Sequence, residues 1–195
     1  MLPPHAPPSF SDRSTLWNSV EQTEKSNNSQ LAREIELALP VELSREEQTR
    51  LVREYCSSQF VSKGMCADFN IHDTGSGNPH AHILLTMRPL DEKGAWAAKS
   101  KKEYVLDESG EKILLPSGRY KTRKIDLMDW NRQENADLWR KAWADMANDF
   151  LEQNGSAERI DHRSNAERGI DEIPTVHMGV AACQMEKKGI ATEKG

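Results

Sequence analysis

The chain has 195 residues and a formal net charge of −5, with 36% hydrophobic and 29% charged residues. That is the size of one ordinary domain with tails, polar on average but with its apolar residues clustered enough for one modest core. No run approaches the ~20 apolar residues of a membrane span, which excludes an integral helical membrane protein. The first ten residues lack the basic and apolar regions of a cleaved leader. Cys56, Cys66 and Cys183 are too few and too scattered for a disulfide framework or a metal knuckle, which points to a reducing cytoplasm. A pI near 5.7 argues against binding nucleic acid by bulk charge, so any such role needs a local site.

Residues 1–13, punctuated by Pro3, Pro4, Pro7 and Pro8, read as an extended lead-in. Ser11 or Asp12 then offers an N-cap for a helix through Leu16, Trp17 and Val20. After a polar loop, residues 30–39 alternate: Leu31, Ile35, Leu37 and Leu39 share one face with Arg33, and Glu34 and Glu36 lie on the other. That predicts a strand, closed by Pro40. Ser44-Arg-Glu-Glu47 is a capping box opening a helix over 44–61 with Leu51, Val52, Tyr55 and Phe60 on its apolar stripe. Residues 65–73 and 80–88 alternate again and flank a Gly-rich turn, the pattern of an antiparallel hairpin. Glu103–Leu106 and Lys112–Leu115 flank Asp107-Glu-Ser-Gly110 and suggest a small ribbon within an insert at about 89–124. Residues 88–124 hold ten basic and six acidic side chains, a local +4. A helix over 134–153 carries a stripe of Leu138, Trp139, Ala142, Trp143, Met146, Phe150 and Leu151. The segment 157–195 is charged and offers one helix near 178–188. The expected layout is a lead-in (1–13), a domain (14–155) and a C-terminal extension of it (156–195).

Three of the six histidines fall within eleven residues. His80 and His82 are two apart and project from one face of one strand. His72 lies on the polar face of the preceding strand, so pairing the two strands brings three imidazoles together. Neutral imidazole is a good ligand for divalent transition metals, and three from one sheet leave coordination positions open. Ordinary polar surface at a hairpin mouth is the bland alternative, and the third histidine in phase tips the balance to a metal site. If the strand over 30–39 joins this sheet with its apolar face inward, Glu34 and Glu36 lie on the histidine face, where one of them can orient a ligand histidine or bind the metal. Asp68 and Asn70 are weaker candidates in the same phase. Cys66 reads as a small buried thiol. Trp96 and Tyr104, set among Lys99, Lys101 and Lys102, are the candidates for stacking and phosphate contact with nucleic acid.

The run His72-Asp-Thr-Gly-Ser-Gly-Asn-Pro-His80-Ala-His82-Ile-Leu-Leu-Thr-Met-Arg88 resembles the histidine metal motif of the MobA/MobL family of plasmid mobilisation relaxases. The resemblance extends to Leu16-Trp-Asn-Ser-Val-Glu21, Arg33-Glu-Ile-Glu-Leu-Ala-Leu-Pro40, Lys101-Lys-Glu-Tyr104, Asp161-His-Arg-Ser164, Gly169-Ile-Asp171 and Pro174-Thr-Val-His177, covering most of residues 16–180. It implies an α+β fold, an antiparallel sheet flanked by helices with the histidines on central strands. It implies strand-specific nicking of single-stranded transfer-origin DNA by a tyrosine, assisted by one divalent metal (Mn, Mg, Zn or similar) on His72, His80 and His82, with Glu34 or Glu36 at the acidic position. Relaxosome accessory proteins and a coupling protein are the further partners it implies.

The family's nucleophilic tyrosine precedes the region that resembles this chain, and Tyr55, Tyr104 and Tyr120 do not match it. Asn165 is a smaller departure. The expectation is a relaxase domain without its first segment, inactive in nicking unless a tyrosine is supplied upstream. The alternatives are a non-catalytic protein that binds or assists at the origin and, apart from the resemblance, a small three-histidine metallohydrolase.

Overall fold

A computed structural model describes residues 1–75, 77–172 and 178–193, so the Pro174–His177 segment of the resemblance lies outside the described residues. The chain divides into two compact units, Met1–Ile160 and Asp161–Gly195. The first contains helix α1 (Arg13–Thr23), strand β1 (Ala32–Ala38), helix α2 (Arg45–Gln59), strands β2 (Ala67–His72), β3 (His80–Thr86), β4 (Ser100–Tyr104) and β5 (Thr122–Asp126), and helix α3 (Glu134–Gln153). The second contains α4 (Gly179–Lys187). The fold is α+β with antiparallel sheets, as the alternation and the resemblance lead one to expect.

Local chemistry sets the helix starts. Asp12 caps α1 by accepting from the Thr15 N–H, and Ser44 and Glu47 form the reciprocal capping box of α2. β1, β3 and β2 form one antiparallel sheet with β3 in the centre. The register puts Glu36 opposite His82 and His72 opposite His80. Strand period then sends Leu37, Ala67, Ala81, Ile83 and Leu85 to one face, where they are buried against Leu51, Val52 and Tyr55 of α2 and Trp139, Trp143, Ala147 and Phe150 of α3. Edge-to-face contacts link Tyr55 to Phe60 and Trp143, and Phe60 to Trp139, at 5.2–5.3 Å between ring centres. Each such pair adds about 0.5–1.5 kcal/mol beyond its area. Arg33, the one polar residue on the apolar side of β1, reaches over the Trp139 ring and donates to the Trp130 carbonyl and the Asn131 side chain.

Two stripe residues depart from the expected burial. Leu31 is exposed because pairing begins at Ala32, and Leu138 is exposed because the buried face of α3 centres on Trp139, Trp143 and Ala147.

A second, smaller core lies on the other side of the sheet. Phe10, Leu16, Cys66 and Leu90 are buried there, with Trp17 and Trp96 packed against them. Met1 takes part in the sheet itself. Its ammonium donates to the Ala67 carbonyl at 2.5 Å and its carbonyl accepts from the Ala67 N–H at 3.0 Å, the reciprocal exchange of an antiparallel pair along the outer edge of β2.

The insert is a longer ribbon than the expected hairpin. Its stem pairs β4 with β5, from Ser100 opposite Asp126 to Tyr104 opposite Thr122. Leu106 bridges to Lys112 and Leu114 to Tyr120 at its tip, so the segments 103–106 and 112–115 do approach, but only beyond that stem. In the second unit, Asp161 pairs with Arg163 and Arg168. Among the described residues no helix is long and apolar enough to cross a membrane.

Candidate metal centre and nucleic-acid surface

The sheet face opposite the main core carries Glu34 and Glu36 from β1, His80 and His82 from β3, and Asp68, Asn70 and His72 from β2. One end of this face is roofed and the other is open. At the roofed end Cys66 is fully buried, its thiol pushed up to about 11 by burial, beside the hydroxyl of Thr86. Burial suppresses the thiolate, so Cys66 serves packing rather than ligation.

At the open end the three imidazoles gather. Ring centres lie 4.8 Å apart for His72 and His82, 5.1 Å for His80 and His82, and 5.5 Å for His72 and His80. One nitrogen from each ring lies within 4.8 Å of the others. A tetrahedral ion with ligands at about 2.1 Å sets its nitrogens ~3.4 Å apart, a difference that side-chain torsions span. The three histidines can therefore hold a metal.

Two contacts fix ring orientation. Nδ1 of His80 lies 2.9 Å from the Asn78 carbonyl. A carbonyl only accepts, so Nδ1 carries a proton, and in the neutral ring Nε2 is the nitrogen left to ligate. Nδ1 of His82 lies 2.8 Å from Oε1 of Glu34, with the same consequence. The geometry thus distinguishes the two glutamates: Glu34, diagonal to His82, reaches the ring, whereas Glu36, directly opposite in register, makes no hydrogen bond among the described residues.

The roof comes from α1. Arg13 and Trp17, one turn apart, both reach Asp68: a guanidinium nitrogen donates at 2.6 Å and the indole N–H at 2.9 Å. The same Arg13 nitrogen reaches Oδ1 of Asn70 at 3.2 Å. Sequence reasoning noted Asp68 and Asn70 but not Arg13; the available signal was the i, i+4 spacing of Arg13 and Trp17 on a capped helix.

The basic and aromatic candidates fall into two groups. Trp96 stacks on Phe10, with ring centres 5.4 Å apart, and donates to the Ser19 hydroxyl, so its ring belongs to the second core. Lys99 is held at the ribbon base by Glu24 and the Gln30 carbonyl, beside Arg88, which shares Glu24. Glu24 is almost fully buried; burial opposes its charge, but the bonds from Arg88 and Lys99 outweigh it and hold the carboxyl below its usual value. Lys101 pairs with Glu103, and Lys102 is exposed. Tyr104 is half exposed and meets Tyr120 edge to face at 5.8 Å, with the Lys112 ammonium 4.1 Å from its ring centre. The sequence did not group Tyr120 and Lys112 with Tyr104 as a surface, because the register that joins them is set by the ribbon stem.

Tyr55 is 1% exposed; its hydroxyl donates to the Trp139 carbonyl at 3.0 Å, and burial raises its pKa far above the ordinary value.

Residues 1–188 match the MobA/MobL family. The chain is similar to the probable mobilization protein MobA of Bifidobacterium longum, at 35% identity over the whole chain and 37% of that protein. It is also similar to the conjugal transfer protein TraA of Agrobacterium fabrum, at 39% identity over 89% of the chain and 15% of that protein. The chain thus spans well under half the length of these relatives. A solved structure, described as the molecular basis of vancomycin resistance transfer in Staphylococcus aureus, superposes with a TM-score of 0.68 at 35% identity, covering 84% of this chain and 73% of that one.

Proposed function

Because the chain belongs to the MobA/MobL family, we propose that it supplies the metal-binding and DNA-binding part of a relaxase that nicks one strand of plasmid transfer-origin DNA. The observation that carries this reading is the cluster of His72, His80 and His82, two of them oriented through Nδ1 by the Asn78 carbonyl and Glu34. Three neutral imidazoles suit one divalent ion of the Mn-to-Zn series better than Mg, which prefers oxygen. Once bound, such an ion supplies a Lewis acid for a phosphate oxygen. Glu34 orients His82 and is the acidic residue we assign to the site, in place of Glu36.

The ribbon supports contact with single-stranded DNA. Tyr104 and Tyr120 offer faces for bases, and Lys101, Lys102 and Lys112 offer charge for phosphates. Tyr55 is unfit as a nucleophile: its hydroxyl is buried and committed to a carbonyl, and its pKa is raised. We assign no nucleophile within residues 1–195. The reading places the protein with plasmid DNA in the cytoplasm, among the proteins of the transfer machinery.

Labelled oligonucleotides tiling both strands of a mobilisable plasmid's transfer origin test this. One strand should bind at least tenfold more tightly than its complement or the duplex, and no covalent adduct should survive a denaturing gel with Mn. Equal affinity for every oligonucleotide would overturn the DNA assignment. An adduct would overturn the assignment of no nucleophile and direct attention to Tyr104 and Tyr120.

A further inference from the structure

The roofed end of the histidine face holds a cation that the metal centre does not use. Arg13 stands in the first turn of α1, with its side chain 55% exposed, above an Asp68 carboxylate that is only 17% exposed. One of its terminal nitrogens serves both Asp68 and Asn70. A guanidinium has five N–H donors, so three remain, on the other terminal nitrogen and on Nε. The carboxylate beneath is engaged a second time by the Trp17 indole. The pair therefore presents its positive partner outward and keeps its negative partner inside.

The position of this cation is set by strand geometry. Asn70 is two residues from His72 on the same face of β2 and stands opposite His82 on β3. Two strand residues span about 7 Å, so the Asn70 side chain forms the border between the guanidinium and the imidazole cluster. Arg13 is fixed there from three sides, by Asp68, by Asn70 and by the helix that carries it. A planar, preoriented fork of this kind matches the oxygens of a phosphate. Two neighbouring cations are already committed: Arg88 and Lys99 both pair with the buried Glu24.

We propose that Arg13 is a phosphate-binding residue of the DNA site, gripping the backbone of a nucleotide next to the one that lies at His72, His80 and His82. The inference rests on the relaxase reading above and deepens it, because it assigns the direction of the strand's path: from the histidines along β2 toward α1. Asp68 and Trp17 act through Arg13, as positioning residues.

The test uses the whole chain and a single-stranded oligothymidylate of about 16 nucleotides, followed by fluorescence anisotropy over a salt series without metal. Arg13→Gln removes the charge but keeps an N–H donor for Asp68, and Arg13→Lys keeps the charge. Arg13→Gln should bind about tenfold more weakly at low salt, and its plot of log affinity against log salt should be shallower by about 0.7. Arg13→Lys should regain the parent slope. Mn affinity measured by calorimetry should stay within twofold of the parent for both. A salt slope unchanged in Arg13→Gln, with any loss confined to thermal stability, would show a structural role and overturn the proposal. An equal loss of Mn affinity would show that the substitution disturbs the histidine cluster and would overturn it too. A parent chain that binds neither the oligothymidylate nor any of the transfer-origin oligonucleotides would instead overturn the DNA reading on which the proposal stands; if it binds only one of the latter, the same salt series is read on that oligonucleotide.

Discussion

Glu34→Gln removes a negative charge from the 2.8 Å contact to His82 Nδ1 and leaves the shape of the side chain almost unchanged. A carboxylate that orients a ligand histidine contributes about 10- to 100-fold to metal affinity. The Glu34 side chain is 59% exposed, so water screens its charge, and the expected loss sits at the lower end. About tenfold is expected, equivalent to ~1.4 kcal/mol. Glu36 is the control within the same strand: it faces the same side, stands opposite His82 and makes no bond to it among the described residues. Glu36→Gln should change affinity by less than about twofold. Calorimetric titration with Mn and Zn at one fixed pH reads both variants against the parent and against His82→Ala, which should fall furthest. A Glu34→Gln titration identical to the parent's refutes the orienting role, and a larger loss in Glu36→Gln transfers it to that residue.

Glu24→Gln should lower stability by about 2 kcal/mol near pH 7, because it leaves Arg88 and Lys99 without their shared counter-charge. The folded carboxyl is held below its usual value, so its contribution is complete above the ordinary carboxylate range and disappears as pH falls through the folded value. The gap in Tm between parent and variant, about 4–8 °C near neutrality, should therefore narrow steadily as pH falls through the carboxylate range toward the lowered folded value; a gap that does not change on acidification counts against the mechanism. Tyr104→Ala should weaken oligothymidylate binding about tenfold with Tm nearly unchanged, since the ring is half exposed. Trp96→Ala should do the reverse, because its ring stacks on Phe10; loss of DNA affinity in a well-folded Trp96→Ala protein would contradict this division.

The parts legible in the sequence are those fixed by short-range rules. Alternation placed three strands, and it put His72, His80 and His82 in phase before any pairing was known. Ser44 and Glu47 announced their helix by side-chain chemistry alone, and of the two caps the sequence offered for α1, Ser11 and Asp12, the structure uses Asp12. The choice between Glu34 and Glu36 was not legible, because strand phase treats them alike and only the diagonal reach across to His82 separates them. The role of α1 was hidden for a different reason. Leu16 and Val20 mark its buried side, but nothing local says that this side lands on the histidine face and brings Arg13 to Asp68. Trp96 looked like an exposed aromatic among lysines; its partner Phe10 lies 86 residues away in sequence, and pattern reading does not see such a contact.

The pairing of Met1 with Ala67 governs how the protein should be handled. In β2 the even-numbered residues bond to β3, as the Cys66–Thr86 contact shows, so the main-chain groups of Phe69 and Ile71 face the open edge beside Met1. Residues joined ahead of Met1 are aimed antiparallel along that edge, and side chains opposite Asp68, Asn70 and His72 arrive on the histidine face. A polyhistidine purification tag fused there would deliver surplus imidazoles to the very cluster whose metal is being titrated. It would also replace the ammonium that Ala67 holds. Affinity handles belong at the other terminus, and metal stoichiometry should be read only on protein with no added histidines ahead of Met1.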